Sequence, residues 1–151
     1  MTPAARTPAQ RRRDTLDRLE HDVDAWVATA DARGGTPWLI PLSFLWDGAT
    51  LLVATPSAST TSRNLLATGH VRVGIGPTRD VILIEGTATA LEATRIPEEV
   101  AAAFAAKTGF DPRVESNPYL YFRIQPQRIQ AWREENELQD RLLMRDGTWI
   151  R

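Results

Sequence analysis

Residues 51–65, Leu-Leu-Val-Ala-Thr-Pro-Ser-Ala-Ser-Thr-Thr-Ser-Arg-Asn-Leu, join an apolar run to a cluster of hydroxyl side chains. The apolar residues at the start of this stretch have the pattern of a buried strand. Consecutive hydroxyl residues from Ser59 to Ser62 then lead directly into Arg63 and Asn64. The stretch therefore predicts a strand followed by a short polar helix. The function predicted for the chain depends on whether its hydroxyl groups bind a ligand or only stabilise the turn.

Two interpretations of the hydroxyl cluster follow from its residues. If residues 59–67 form a helix, Ser59 or Thr60 is its N-cap. Free N–H groups at such a helix end, with hydroxyl donors and Arg63 nearby, form a site for an anion such as phosphate. Alternatively, the hydroxyl groups only cap the helix and fill the turn, because Ser and Thr are common in both places. The spacing alone leaves both interpretations open.

The composition excludes several classes of function. The chain has 151 residues with 18 basic and 19 acidic side chains, and this balance is unlike the basic excess of nucleic-acid-binding proteins. It contains no cysteine, which excludes disulfides and thiol catalysis. Its two histidines are too few for an ordinary histidine-based metal cluster. We expect a small-molecule partner, no nucleic acid and no bound metal.

The termini and hydropathy predict a single cytoplasmic domain. Residues 1–10 contain two prolines and, apart from Met1, no large apolar side chain, so they are expected to form a flexible tail. Residues 11–151 are then one domain, as the length favours. No apolar run approaches the roughly 20 residues that span a bilayer, and the N-terminus lacks the apolar segment of a signal peptide.

The pattern of apolar residues predicts an antiparallel architecture. Amphipathic helices are expected near Arg11–Asp24, residues 59–67 and from Ile96 to Gly109. Closely spaced apolar runs with hairpin signals between them, such as Asp47-Gly48, indicate a barrel that closes on itself. Gly86 suggests a β-bulge inside its strand, or a place where another group approaches the backbone closely. The predicted strands are Trp26–Ala30, Trp38–Trp46, Leu51–Thr55, Val71–Ile75, Val81–Ala88, Tyr119–Ile124 and Arg128–Trp132.

No catalytic motif accompanies these elements. The serines lack the Gly-x-Ser-x-Gly context of a nucleophile, and neither nucleotide-binding glycine pattern occurs. Trp132 ends a predicted strand, where an aromatic residue most often belongs to a core or an interface. The five tryptophans of the chain suggest that some of them serve an interface or a flat ligand.

Three stretches resemble the pyridoxamine 5'-phosphate oxidase-like split-barrel superfamily of flavin and deazaflavin enzymes. Pro41–Gly48 followed by residues 51–55 resembles the second and third strands of that family. Ser59-x-x-x-Arg63-Asn64-Leu65 resembles its phosphate loop and helix, and residues 85–88, Glu-Gly-Thr-Ala, resemble a later strand. The resemblance implies a mainly β (α+β) protein, with an antiparallel split β-barrel, a few flanking helices and a homodimeric assembly.

The resemblance also implies a cofactor site, for FMN or alternatively the deazaflavin coenzyme F-420. Three residues would line the ring, with the Ser43 hydroxyl able to hydrogen-bond its edge, and a polar set would hold the phosphate. Many relatives have Lys where Thr61 stands, so Arg63 would be the principal cation. Trp132 and Arg141 match positions that contact the flavin from the partner subunit. The complete implied set is Pro41, Leu42, Ser43, Thr55, Ser59, Thr60, Thr61, Arg63, Asn64, Trp132 and Arg141.

The C-terminal sequence indicates which substrate the protein does not use. Residues 126–132 and 136–141 resemble the end of true pyridoxamine phosphate oxidases, but Glu137 and Gln139 replace the Arg and His that bind the vitamin there. A glutamate should repel a phosphate. The resemblance therefore implies hydride transfer between the cofactor and a small organic molecule other than pyridoxamine phosphate, with no catalytic side chain assigned. The alternative is a non-catalytic split barrel that carries or sequesters a flavin.

Overall fold

A computed structural model describes all residues from 1 to 151. The three helices are α1 (Pro8–His21), α2 (Thr60–Thr68) and α3 (Glu98–Thr108). Short 3-10 turns occupy Pro112–Val114 and Glu135–Glu137. The strands are β1 (Asp24–Ala30), β2 (Pro37–Ser43), β3 (Leu45–Trp46), β4 (Leu51–Pro56), β5 (His70–Ile75), β6 (Val81–Glu92), β7 (Tyr119–Trp132), β8 (Leu142–Arg145) and β9 (Thr148–Trp149).

The strands form one antiparallel sheet in the order β2-β1-β5-β6-β7-β4-β3, and β8 pairs with both β7 and β9. The sheet curls around a main core that includes Phe44, Phe122 and Ile129, all buried. A smaller core beneath α3 packs Phe104 edge-on against Tyr121, with ring centroids 5.5 Å apart. This arrangement confirms the mainly β, split-barrel prediction, but the expected closure of the barrel is wrong, because β2 and β3 end the strand order and do not pair with each other. No helix is both long and apolar enough to cross a membrane.

Two strands are longer than the sequence predicts: β6 continues past Ala88 to Glu92, and β7 joins two predicted strands. Residues Tyr119–Ile124 and Arg128–Trp132 were expected as separate strands around Pro126, but β7 runs without a break through all of them. Pro126 is tolerated because it lies between the segment that pairs with β4, which ends at Ile124, and the segment that pairs with β8, which begins at Ile129. No neighbouring strand on that side needs an N–H group from residue 126.

The close backbone approach predicted at Gly86 is confirmed, but the bulge lies opposite it, in β7, where Gln127 is the extra residue. The register between β6 and β7 shifts between Glu85 and Gly86, opposite Pro126. A Cβ atom on Gly86 would lie only 2.7 Å from the carbonyl oxygen of Gln125. Glycine is therefore required here by the close approach of the neighbouring backbone.

The first helix begins earlier than the sequence predicts. Thr7 caps α1, and its side chain and that of Gln10 form a reciprocal capping box. The expected start at Arg11 is thus wrong, and residues 7–10 are not part of a flexible tail. The preceding Arg6 is also fixed, because its guanidinium forms an ion pair with Glu137, with 2.7 Å between Nη2 and Oε1.

Candidate functional site

Hydroxyl groups build the turn between β4 and α2. The predicted helix and its cap are confirmed: Ser59 Oγ accepts a hydrogen bond from the Ser62 amide at 3.1 Å. Ser59 Oγ also pairs with Thr55 Oγ1 at 2.9 Å, and the Ser62 hydroxyl donates to the Pro56 carbonyl at 2.8 Å. The hydroxyls of Thr55, Ser59 and Ser62 therefore fix the shape of the turn, as the capping interpretation predicts.

Asn64 connects α2 to the sheet. Its side chain is 5% exposed, and its Nδ2 donates to Thr29 Oγ1 of β1 at 3.0 Å. This bond holds α2 against the sheet and satisfies a buried amide. Asn64 therefore positions the helix, and its Nδ2 is directed to β1 rather than to the helix start.

Unused hydrogen-bond donors remain at the first turn of α2. The backbone amides of Thr60 and Thr61 have no partner within the chain. Arg63 folds back over this end, where Nη1 donates to the Ala58 carbonyl at 2.7 Å and Nη2 donates to Thr60 Oγ1 at 3.0 Å. A guanidinium has five N–H donors, so the exposed Arg63 keeps others for a ligand. Amides, a cation and the positive end of the helix dipole together suit an anion.

Thr61 adds an unusual feature to the same turn. The residue is 0% exposed, and its Oγ1 has no hydrogen-bond partner. A buried hydroxyl without a partner costs about 1–3 kcal/mol, so such groups are uncommon in folded proteins. The residues around the start of α2 thus fit a phosphate group, with Arg63 as the cation and neutral donors in place of the lysine that the resemblance leads one to expect at Thr61.

The predicted ring-lining residues lie close to this turn. Pro41, Leu42 and Ser43, at the end of β2, line a cavity of about 220 Å³ that also contacts Pro56. Pro56 ends β4 and precedes α2, so the cavity adjoins the chain that leads to the helix, but none of Ser59, Thr60, Thr61 and Arg63 lines it. The placement of both groups around one cofactor stays a prediction.

Trp132 and Arg141 lie elsewhere in the chain. The Arg141 guanidinium lies 5.7 Å above the Trp132 ring, and its Nε donates to Gln130 Oε1 at 3.0 Å. Trp132 ends β7, whereas Thr55 is paired with Leu120 near the start of that strand. The intervening residues span roughly 40 Å of strand at about 3.3 Å per residue. One chain does not place both groups at the same end of β7.

Glu137 is an internal ion-pair partner rather than part of an open anion site. It is 2% exposed, and its carboxylate accepts hydrogen bonds from the Arg6 side chain, from the Arg6 amide at 2.8 Å and from the Arg133 amide at 2.9 Å. These bonds, led by those from the Arg6 side chain, lower the pKa of Glu137 to about 2. Sequence reasoning anticipated that Glu137 would not bind phosphate, but it missed Arg6.

A second buried arginine completes this cluster. Arg11, on α1, is 2% exposed, and its Nη1 donates to the carbonyls of Glu137 at 3.0 Å and Ala131 at 3.3 Å. Its Nε lies 4.0 Å from the Glu137 carboxylate. The sequence places Arg11 in a run of basic residues on a solvated helix, so nothing local distinguishes it from its neighbours. The cluster fixes the segment that follows Trp132.

Comparisons with known proteins agree with this fold, an antiparallel split barrel. A family model described as pyridoxamine 5'-phosphate oxidase matches residues 15–133, and the chain therefore belongs to that family. No curated protein matches the sequence.

Solved structures share the fold at low identity. A putative pyridoxamine 5'-phosphate oxidase from Listeria innocua is 20% identical, with a TM-score of 0.63, and the alignment covers 83% of this chain and 98% of that one. An F-420 reductase is 17% identical, with a TM-score of 0.60 and coverage of 77% and 94%. HutZ, described as a heme storage protein from Vibrio cholerae, is 16% identical, with a TM-score of 0.62 and coverage of 80% and 94%.

Proposed function

We propose that this protein binds a flavin-type cofactor, FMN or the deazaflavin F-420, and transfers hydride between it and a small organic molecule. The observation that carries this proposal is the start of α2, where the amides of Thr60 and Thr61 have no partner within the chain and the exposed guanidinium of Arg63 contacts Thr60 Oγ1. The family to which the chain belongs supports a cofactor with a phosphate at this place. The cofactor supplies the redox chemistry, and the chain binds and orients it.

The residues divide into three roles under this proposal. Thr60, Thr61 and Arg63 bind the phosphate, whereas Thr55, Ser59 and Asn64 hold the turn and the helix in position. Pro41, Leu42 and Ser43 line the ring. The Ser43 hydroxyl donates to Asp24 Oδ1 at 2.7 Å, so its oxygen offers only lone pairs to a ring edge. It would therefore accept a hydrogen bond from a ring N–H group.

We further propose that the working form is a homodimer. Trp132 and Arg141 contact the cofactor in the resemblance, yet they lie at the far end of β7 from the start of α2. A second chain supplies them without any change in fold. Its docking face is the outer side of the sheet, where Trp26, Leu39 and Leu83 are 54%, 61% and 38% exposed. Apolar groups of this size on neighbouring strands are typical of an interaction surface.

The substrate we propose is not pyridoxamine phosphate. Glu137 stands where the vitamin's phosphate would need a cation, and its carboxylate is fully used by Arg6 and the backbone. Opening this cluster to bind a phosphate would leave a buried carboxylate beside a second negative charge.

The alternative function is a non-catalytic flavin carrier. It is favoured by the loss of the usual lysine at Thr61 and by the hydroxyls that are consumed inside the turn. The heme storage described for HutZ is a further use of this fold. We rank heme below flavin, because neither of the chain's histidines, His21 and His70, lines the cavity at the end of β2 where the cofactor ring is proposed.

The proposal is tested by identifying the cofactor and then following its redox state. The purified protein is denatured, and any released chromophore is identified by absorbance and mass spectrometry. If none is released, FMN and F-420 are each titrated against tryptophan fluorescence. We expect tight binding of one of them and its oxidation or reduction with a screened substrate.

Each other outcome has a distinct meaning. Binding without turnover by any hydride donor or acceptor favours the carrier, and a released heme contradicts the flavin proposal. Failure to bind either flavin would overturn it. Sedimentation velocity tests the dimer separately, and a monomer at working concentration in the presence of cofactor would contradict it.

A further inference from the structure

Residues 133–140, which we call the β7–β8 segment, join two residues that the proposed function places in contact with the flavin. Trp132 precedes the segment at the end of β7, and Arg141 follows it. The segment buries only one of its side chains, that of Glu137, and its one large apolar residue, Leu138, is 40% exposed. Because apolar burial is the dominant favourable term in folding, this segment needs another source of order.

The charges of the β7–β8 segment repel one another. Its sequence, Arg-Glu-Glu-Asn-Glu-Leu-Gln-Asp, has four carboxylates and one guanidinium. Like charges close together destabilise a compact conformation. The ion pairs made by Arg133, Glu134 and Asp140 join exposed or half-exposed side chains, and such pairs contribute little to stability. The segment therefore depends on contacts from buried groups.

The N-terminal part of the chain supplies those buried contacts. Arg11 Nη1 lies 3.0–3.4 Å from three carbonyl oxygens, which belong to Ala131, Glu137 and Gln139. Arg6 binds the Glu137 carboxylate, with 2.7 Å between Nη2 and Oε1. Since Arg11 is 2% exposed, water does not compete for its donors. One buried guanidinium therefore joins the end of β7 to the far end of the segment.

The same contacts keep Trp132 beside Arg141. The Ala131 amide donates to the Arg141 carbonyl at 3.0 Å, and Arg141 Nη1 donates to the Leu138 carbonyl at 3.0 Å. The Arg141 guanidinium then lies 5.7 Å from the Trp132 ring. Arg11 holds the carbonyls of Ala131 and of both neighbours of Leu138, so the geometry of the Trp132–Arg141 pair depends on Arg11.

We propose that Arg11 is a positioning residue for the cofactor site of the second subunit. It does not touch the cofactor, but it holds the β7–β8 segment so that Trp132 and Arg141 reach the flavin bound at the start of α2 in the partner chain. This role rests on the proposed function and on the homodimer, whereas the ordering of the segment by Arg11 does not. Because Arg63 is assigned to the phosphate and Trp132 and Arg141 to the flavin, loss of Arg11 should weaken FMN and riboflavin binding alike.

Hydrogen exchange of the full-length protein without added cofactor tests the ordering of the segment. The amides of Arg133, Glu137 and Leu138 are hydrogen-bonded, so they should be protected in the wild type. In Arg11→Met we expect them to exchange at least tenfold faster, while amides in β6 keep their rates. Arg11→Lys retains the charge and should restore part of the protection. Arg13→Met, an exposed position on the same helix, is the matched control and should change nothing.

Two results of this exchange experiment would overturn the inference. Unchanged rates in the segment of Arg11→Met would show that Arg11 does not order it. A loss of protection in β6 as large as that in the segment would show that Arg11 supports the whole fold equally, with no particular effect on Trp132 and Arg141.

Mixed dimers test whether Arg11 acts across the dimer. Two chains with different affinity tags are co-expressed, and tightly bound FMN per dimer is counted by titration. With Arg63→Ala on one chain and Arg11→Met on the other, one site keeps both residues if Arg11 acts on the partner's site, so one FMN should bind tightly. With both changes on one chain and a wild-type partner, neither site keeps both, and binding should be at least tenfold weaker. The reverse pattern would overturn the inference.

Further outcomes separate this inference from the proposed function. If Arg11→Met loses protection in the segment but binds FMN as tightly as the wild type, the positioning role is wrong and the proposed function stands. If the variant weakens FMN but not riboflavin binding, Arg11 acts on the phosphate, which also contradicts the inference. If the wild type binds neither FMN nor F-420, the proposed function fails together with the cofactor role of Arg11, and the exchange rates alone decide whether Arg11 orders the segment.

Discussion

Two polar clusters in this molecule contain similar groups, but one is suited to binding a ligand and the other stabilises the fold. At the start of α2, Arg63 is exposed, and backbone amides beside it have no partner. At the other cluster, Glu137 is 2% exposed, and arginine side chains and amides satisfy its carboxylate. The first cluster can bind a ligand because some of its donors have no partner, while the second supports the fold because the Glu137 carboxylate is fully hydrogen-bonded, with only Arg11 Nε left without a partner. What distinguishes a cluster that can bind a ligand from a cluster that stabilises the fold is how buried its groups are and how many of their hydrogen bonds are formed, rather than which residue types it contains.

Removing the negative charge of Glu137 from the buried cluster is the test of this comparison with the largest expected effect. Glu137→Gln leaves Arg6 and Arg11 without their carboxylate, so we expect the free energy of unfolding to fall by about 3–5 kcal/mol in urea denaturation. The exposed neighbour Glu135 provides the control, since Glu135→Gln should stay within about 0.5 kcal/mol of the wild type. A loss below 1 kcal/mol for Glu137→Gln would show that the cluster does not support the fold.

The same cluster predicts a dependence of stability on pH. The pKa of Glu137 is lowered from its ordinary value of 4.5 to about 2 in the folded chain. Its contribution, roughly 3 kcal/mol, is therefore fully present above pH 4.5 and is lost as the pH falls towards 2. Urea unfolding across this window should show a steeper loss for the wild type than for Glu137→Gln. Parallel curves for the two proteins would contradict the assignment.

The hydrogen bond between Asn64 of α2 and Thr29 of β1 tests the same comparison at the cluster where a ligand is proposed to bind. Asn64→Leu leaves the Thr29 hydroxyl buried without a partner and should cost about 1–3 kcal/mol of stability. The double variant Thr29→Val with Asn64→Leu removes both partners, so most of that loss should be recovered. Unfolding curves of the wild type, both single variants and the double variant measure the effect, and additive losses would show that the hydrogen bond is not what holds the helix.

The smallest expected stability change belongs to Thr61. Thr61→Val is nearly isosteric and removes a buried hydroxyl that has no partner, so stability should be unchanged or should rise by up to about 1 kcal/mol. If that hydroxyl contacts the cofactor phosphate, the same variant should weaken FMN binding several-fold. Fluorescence titration and thermal unfolding, carried out on one preparation, separate the two effects. A clear loss of stability without cofactor would indicate a partner inside the chain.

The sequence was sufficient for features that depend on local chemistry. The strand at Leu51, the cap at Ser59 and the close backbone approach at Gly86 were predicted because turn residues and alternation act over a few positions. The continuity of β7 through Pro126 was missed, because it depends on which neighbouring strand lies beside that proline.

The pairing of Arg6 with Glu137 was missed for a related reason. The two residues are 131 positions apart, and no local pattern in one sequence joins them. The prediction of site residues was limited for the same reason, because it depends on where the fold directs each side chain. Thr55 and Asn64 have the residue types of ligands, yet tertiary packing directs their side chains into the chain.

The central claim is that the start of α2 binds a phosphate, and a comparison of FMN with riboflavin tests it most directly. The two ligands share the ring and differ in the phosphate. We expect wild-type protein to bind FMN at least tenfold more tightly than riboflavin, and Arg63→Ala to remove most of that difference while leaving riboflavin binding unchanged. Arg145→Ala, at an exposed position on β8, should preserve the difference. Equal affinities for FMN and riboflavin in the wild type would contradict the account.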